Sequence, residues 1–265
     1  MKKTEYEVKP NREHKDSLFR YMFKDPKLFL EAYNALMGTN FRDVSLLEDV
    51  TLSDILFNNK VNDLAFVVDD RLVVLIEHQS TINENLPLRL LMYVARVYER
   101  IIDKDLYYRR KMVRIPRPQL LVLYNGLAKY PAHKTLSLSD AFEKLPEELE
   151  PRIRTGMLEL EVEVYNINAG YNEELVKRSE YLNGYVTFES IVADEFYDKR
   201  KTCKEALKIA YNYCKRHGII AEYLRVHFAE VENMLYTEFD EELAKKTWQE
   251  EAFEDGMEAG IEKGI

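Results

Sequence analysis

The chain has 265 residues, 46% of them hydrophobic and 32% charged, with 9 Gly and 8 Pro, which excludes a mainly disordered chain. The length allows one large domain, or one domain with an appendage. Apolar runs are far shorter than the roughly 20 residues that span a bilayer, and none follows Lys2 and Lys3, so we expect no membrane span and no signal peptide. Cys203 and Cys214 fit no disulfide or zinc spacing, which favours a cytoplasmic location.

Charge is distributed unevenly along the chain. The formal net charge of −9 argues against a uniformly basic nucleic-acid binder. Residues 1–130 carry 21 Lys+Arg against 18 Asp+Glu, whereas residues 131–265 carry 17 against 29. Between Arg89 and Arg117, nine basic residues occur with three acids. This local basic run is long enough to contact an anionic partner, although a solvated helix face followed by a loop would have the same composition.

The first elements are predicted to be helices. Apolar residues between Leu18 and Phe23 have helical spacing, and Asp25 and Pro26 then supply a cap and a first-turn proline for a second helix. The apolar stripe of this second helix runs to Gly38, a common helix end. Residues 44–55 alternate loosely between apolar and polar, and we expect a strand there.

A β-hairpin is the clearest element of the sequence. Residues 61–68 and 72–79 are rich in β-branched and aromatic side chains, and the polar Asp69-Asp70-Arg71 between them has the length of a hairpin loop. The elements expected after it are a helix over 88–102, a buried strand over 119–126, a half-exposed strand over 158–167, and acidic helices from Glu173 onward.

Two acids interrupt the apolar hairpin. If the loop comprises Asp69-Asp70-Arg71, Asp63 faces Glu77 across the antiparallel pair, with Cβ atoms roughly 4.5–5.5 Å apart. Two like charges at that separation are unfavourable unless a cation or a proton compensates them. If the loop is Asp69-Asp70 alone, Asp63 faces Ile76 instead and is an ordinary acid at a strand edge.

In the first register, oxygen-bearing side chains converge on one face of the hairpin. Glu77 and Gln79 project to the same side of their strand, whereas His78 projects to the other side, where a packed histidine is expected. Mg²⁺ prefers oxygen ligands and takes one or two carboxylates, which leaves positions for water and phosphate. The pattern therefore points to metal-assisted phosphodiester hydrolysis.

The order of these elements resembles the PD-(D/E)xK nuclease core. More narrowly, the segments 16–20, 76–79 and 88–93, together with the Asp63 strand, resemble the Rpn-type recombination-promoting nuclease and putative transposase family, which is YhgA-like. The resemblance covers roughly residues 10–126, and the acidic helices and glycine-spaced end also look like those of such proteins. It implies an α/β fold with a restriction-endonuclease-like mixed sheet flanked by helices, and a helical C-terminal extension.

The resemblance also implies a Mg²⁺-dependent DNA endonuclease, with Mn²⁺ able to substitute. Asp63 and Glu77 would bind the metal, and the backbone carbonyl of His78 could join them. Gln79 stands where the broader superfamily has lysine, and its amide can orient a water but lacks the positive charge of an ammonium group. Asp16 resembles a further acid that such folds direct toward the site, although a helix cap or a first-turn acid explains it equally well.

The helix after the hairpin carries the predicted DNA contacts. Arg89 and Tyr93 are four residues apart and share a helix face, and Arg96 and Arg100 continue the same basic track. We expect the three arginines to contact DNA phosphates without reading the base sequence. For Tyr93, a place in the packed core is a slightly better explanation than an orienting role.

Three regions are expected: a nuclease-like core over 1–170, an acidic helical region over 171–245, and a glycine-spaced tail over 246–265. The C-terminal helices would then bind a second copy of the chain or another protein. The departure at Gln79 leaves an alternative function open: a weak or inactive nuclease fold that binds DNA or protein in a mobile-element or phage-conflict system.

Overall fold

The computed structural model describes residues 14–52, 63–126, 128–146, 148 and 156–233 of the chain. It divides into two compact units, Phe19–Ser190 and the combination of Met1–Leu18 with Ile191–Ile265. The predicted tail over 246–265 lies outside the described residues. Within the described residues, no helix is long and apolar enough to cross a membrane.

Two helices begin the described chain, two runs of three strands flank a long helix, and helices complete it. The helices are α1 (His14–Phe23), α2 (Pro26–Met37), α3 (Leu86–Ile101), α4 (Glu173–Val176), α5 (Glu180–Ala193) and α6 (Cys203–His217), and residues 221–233 are also helical. The strands are β1 (Leu47–Asp49), β2 (Asp63–Val68), β3 (Leu72–Gln79), β4 (Arg117–Tyr124), β5 (His133–Ser137) and β6 (Glu161–Asn166). Short 3-10 turns span Val44–Leu46, Lys104–Tyr108 and Leu138–Ala141, and a π-helical turn spans Asp194–Asp198.

The strands of the Phe19–Ser190 unit form one mixed six-stranded sheet in the order β1-β2-β3-β4-β6-β5. Strand β4 runs parallel to both of its neighbours, β3 and β6, whereas the other neighbouring pairs are antiparallel. The predicted α/β class, with a mixed sheet flanked by helices and a helical C-terminal region, is confirmed.

Helices cover both faces of this sheet. On one face, the apolar stripe of α3 packs against alternate residues of the central strands; its buried members are Leu86, Leu90, Val94 and Val97. On the other face, the rings of Phe29 in α2 and Phe66 in β2 have centroids 4.2 Å apart. The hydroxyl of Tyr33 donates a hydrogen bond of 2.7 Å to Oε1 of Gln119 in β4. Alternation along β3 therefore decides which of these two environments each side chain enters.

Local sequence signals set the ends of α2, as predicted, and those of α6. The side chain of Asp25 accepts a hydrogen bond from a backbone N–H in the first turn of α2, and Gly38 ends that helix with a left-handed φ of 66°. In α6, Thr202 and Glu205 form a capping box, and Gly218 ends the helix with φ 70°.

The strand predicted over residues 44–55 is wrong over most of the described part of that segment. A 3-10 turn occupies Val44–Leu46, and the strand that follows has three residues, Leu47–Asp49. The cause is local, because the carboxylate of Asp43 accepts hydrogen bonds from the backbone N–H and the hydroxyl of Ser45. Residues 53–62 lie outside the described part of the chain.

Candidate active site

The pairing of β2 with β3 places Asp63 opposite Glu77, and Leu64 opposite Ile76. This is the register expected for a three-residue loop, so the alternative that pairs Asp63 with Ile76 is excluded. The side chain of Asp63 itself lies outside the described part of the structure.

The loop explains this register. Asp69 and Asp70 both have left-handed backbones, with φ of 51° and 52°. The backbone N–H of Arg71 donates a 3.0 Å hydrogen bond to the carbonyl of Val68, which closes the turn. Two consecutive left-handed residues match the twist of an antiparallel pair, and aspartate accepts this conformation more readily than most residues.

Glu77 is a buried carboxylate on the face of the sheet that α3 covers. The residue is 2% exposed, and its Oε1 lies 3.1 Å from Nη2 of Arg89, the side chain of which is 34% exposed. A buried carboxylate is costly unless a cation compensates it. In this structure the cation is Arg89, for which the sequence predicts a phosphate contact.

Gln79 follows two residues later on the same face of β3. Its Nε2 donates to Oγ1 of Thr81 at 3.2 Å, and its backbone carbonyl accepts a 3.0 Å hydrogen bond from the N–H of Asn125. The side-chain Oε1 is buried and has no hydrogen-bond partner within the described residues. Because buried polar atoms are nearly always hydrogen-bonded, this oxygen is an acceptor suited to a water or a ligand.

The oxygen atoms of this site fit Mg²⁺, which prefers such ligands and needs one or two carboxylates. Glu77 supplies one carboxylate, and the backbone register brings Asp63 to the opposing position. Among the described side chains, no three or more His, Cys, Asp or Glu residues lie close enough together to hold a metal ion. Asp16 lies in α1, and its side chain, like that of Asp63, is outside the described part.

The ring of His78 lies on the face of β3 opposite to Glu77, as strand alternation predicts. It is 1% exposed, its Nε2 is 2.9 Å from the hydroxyl of Tyr185, and it stacks on Phe19 with centroids 5.2 Å apart. The ring is therefore a packed group. A role for the His78 backbone carbonyl in binding metal stays a prediction.

Helix α3 is anchored to the segment that follows β1. The hydroxyl of Tyr93 accepts a 3.0 Å hydrogen bond from the N–H of Leu52, and its ring is partly buried against the core. Nη1 of Arg100 donates a 3.0 Å hydrogen bond to the carbonyl of Thr51. Tyr93 thus positions this segment against α3, while Arg96, one helical turn before Arg100, lines a groove.

Sequence reasoning did not single out two residues beside this basic track. Tyr107 and Tyr108 lie in the 3-10 turn after α3 and line the same groove as Arg96 and Arg100. The available signal was a pair of adjacent tyrosines directly before Arg109.

The fold and the site together define an α/β protein with a buried acidic position on its sheet and a basic helix beside it. Residues 13–214 match the sequence model of the family described as putative transposase, YhgA-like, and the chain belongs to that family. The family expected from the sequence is thereby confirmed, and membership supports a transposase-like role in DNA processing. Neither the curated proteins nor the solved structures gave a match.

Proposed function

We propose that the protein is a Mg²⁺-dependent DNA endonuclease with a PD-(D/E)xK type of site. The observation that carries this proposal is the register that sets Asp63 opposite the buried Glu77, with Gln79 two residues further along the same face. An acid pair at this place on a hydrophobic hairpin weakens the fold unless a cation is held there. Membership of a family described as putative transposases supports DNA as the substrate.

The roles follow from the chemistry of each side chain. Asp63 and Glu77 would hold the metal, with the backbone carbonyl of His78 as a further ligand. When bound, Mg²⁺ would supply an activated water and would neutralise charge on the phosphate during hydrolysis. The free Oε1 of Gln79 would accept a hydrogen bond from that water and so orient it. This water would add at phosphorus and lose a proton to solvent, the ester P–O bond would break, and the leaving oxygen would take up a proton from solvent.

Arg89 has two uses in this scheme. Without metal, its guanidinium compensates the charge of Glu77 at 3.1 Å. If Glu77 held a metal, the Arg89 guanidinium would be free to contact a phosphate oxygen of the substrate. Arg96 and Arg100, on the same face of α3, would continue the contact along the DNA backbone.

The Arg89–Glu77 ion pair also supports a second candidate function. A guanidinium that already compensates Glu77 makes a metal unnecessary for the fold, and Gln79 lacks the charge of the lysine found in the broader superfamily. A protein with these features could bind DNA or a protein partner without cutting DNA. Calorimetric titration with Mg²⁺ and with Mn²⁺ separates the two functions, because the non-cutting protein has no need of metal at Glu77.

The proposed nuclease is tested by nicking of supercoiled plasmid in Mg²⁺ and in EDTA. We expect nicking in Mg²⁺ alone, and its loss in Glu77→Ala and in the isosteric Glu77→Gln. The matched control is Glu84→Gln, since Glu84 is an exposed acid that pairs with Lys134. If Glu77→Gln melts near the wild-type temperature and still cuts at the wild-type rate, the site assignment is wrong.

A further inference from the structure

An open groove of about 1060 Å³ lies beside the C-terminal half of α3. Three cations and two aromatic rings line it, together with one carboxylate; these residues are Arg96, Arg100, Lys104, Tyr107, Tyr108 and Glu99. The groove therefore has a net positive lining that also offers ring faces, which is the combination that single-stranded nucleic acids bind.

The two rings are unusually accessible. Tyr107 is 57% exposed and Tyr108 is 87% exposed. Within the described residues, neither ring stacks on another ring, and neither hydroxyl has a hydrogen-bond partner. Nothing in the described core requires these side chains, so their ring faces are available to a ligand.

The cations are available too. Within the described part of the chain, no carboxylate forms an ion pair with Arg96 or Lys104. Arg100 donates one N–H to the carbonyl of Thr51, and the rest of the described chain leaves its other N–H groups for a ligand. Arg89, Arg96 and Arg100 share one face of α3, at intervals of about 10.5 Å and 6 Å along the helix axis. This face runs from Arg89, which pairs with Glu77, toward the groove.

The exposed rings favour single-stranded over duplex DNA as the ligand of the groove. Duplex DNA presents phosphates outward and keeps its base faces stacked inside, so cations alone would suffice to hold it. Tyrosine rings can stack on bases and so add binding free energy only when the base faces are exposed, as they are in a single strand. A groove with both features fits a strand whose bases are unpaired.

We propose that this groove holds single-stranded DNA, with Tyr107 and Tyr108 stacking on bases and the three cations contacting phosphates. The inference rests on the proposed function and names its substrate class: DNA with an unpaired segment next to the strand that is cut. Binding and cleavage are separate measurements, so the two proposals fail separately.

The test is fluorescence anisotropy in EDTA, where no cleavage occurs, with a labelled oligothymidine of about 20 nucleotides, which exceeds the usual site of one binding module. A duplex and an RNA strand of the same length are the comparison ligands. We expect the DNA single strand to bind most tightly. Tyr108→Ala should weaken that binding about 10-fold, with little change for the duplex, and Tyr108→Phe should retain it because the ring remains.

Matched controls come from the rest of the surface. Tyr213→Ala removes a tyrosine that is 42% exposed on α6, and it should leave binding unchanged. Arg96→Gln should lower the slope of log affinity against log salt by about 0.7, the value for one phosphate contact on a single strand. Arg178→Gln, at an exposed arginine outside the groove, should leave that slope unchanged.

The proposal is overturned if the duplex or the RNA binds more tightly, or if Tyr108→Ala holds the DNA strand as well as the parent does. Tyrosine-dependent binding of the DNA strand supports the groove even if the plasmid is never cut. Metal-dependent nicking with no preference for the single strand leaves the nuclease function standing and removes this inference.

Discussion

The ion pair between Arg89 and Glu77 gives the sharpest prediction for stability. Breaking an exposed ion pair costs about 0–1 kcal/mol, whereas breaking a buried one costs about 3–5 kcal/mol. Here the Glu77 side chain is 3% exposed and that of Arg89 is 34% exposed. For Arg89→Met we therefore expect an intermediate loss of about 2 kcal/mol in the free energy of unfolding. In a unit of this size, that lowers the melting temperature by roughly 4–8 °C.

The assay is thermal unfolding in EDTA and again in Mg²⁺. Arg71→Met is the matched control, because Arg71 pairs with Asp69 at 3.3 Å and both side chains are exposed, so its loss should cost less than about 0.5 kcal/mol. Mg²⁺ should raise the melting temperature of Arg89→Met more than that of the wild type, since the metal no longer competes with the guanidinium for Glu77. At about 100 times its dissociation constant, a bound ion adds about 2.7 kcal/mol. The reasoning is refuted if Arg89→Met melts like Arg71→Met and gains nothing from Mg²⁺.

Three further predictions concern the fold. Asp70 has a left-handed backbone with φ 52°, which glycine adopts freely and valine does not, so Asp70→Gly should raise the free energy of unfolding by about 0.5–1 kcal/mol and Asp70→Val should lower it. Chemical denaturation measures both, and equal stabilities of the two variants would contradict the left-handed turn. Thr202→Ala should cost about 1 kcal/mol, because it removes the capping box with Glu205, while Thr202→Ser should stay near wild type in the same assay. Burial raises the pKa of the Cys214 thiol to about 11. In Cys203→Ser protein at pH 8, a thiol reagent should therefore label Cys214 only after denaturation. Rapid labelling of the native protein would show that Cys214 is accessible to solvent.

Much of the fold was predictable because its signals are local. The hairpin followed from the position of Asp69-Asp70-Arg71 between two apolar runs, whereas the sequence left two registers open and the structure decided for Asp63 opposite Glu77. Helix ends followed from Asp25 and Gly38, whose preferred backbone conformations do not depend on distant residues. These features were confirmed.

Other features depend on particular hydrogen bonds or on distant residues. The turn at Val44–Leu46 forms because Asp43 holds Ser45, which competes with the weak strand pattern. Strand β5 (His133–Ser137) has few apolar residues and gains its order from pairing with β6. It was missed for that reason.

The sequence predicted which residues share a face, but not which side chains touch. Strand alternation placed Glu77 and Gln79 on one face of β3, and helical periodicity placed Arg89 and Tyr93 on one face of α3. Periodicity alone does not show that Arg89 reaches Glu77 at 3.1 Å, because this contact depends on how α3 crosses the sheet. The contact of His78 with Tyr185 joins residues 107 positions apart, which no local pattern indicates.

The central claim is that Asp63 and Glu77 hold a divalent metal ion. A crystal structure of the protein soaked in Mn²⁺, with anomalous diffraction to locate the ion, tests it most directly. We expect an anomalous peak at bonding distance from carboxylate oxygens of both residues, with the Arg89 guanidinium moved away from Glu77. A crystal of protein that is active with Mn²⁺, but has no peak at this pair and an intact Arg89–Glu77 ion pair, would contradict it.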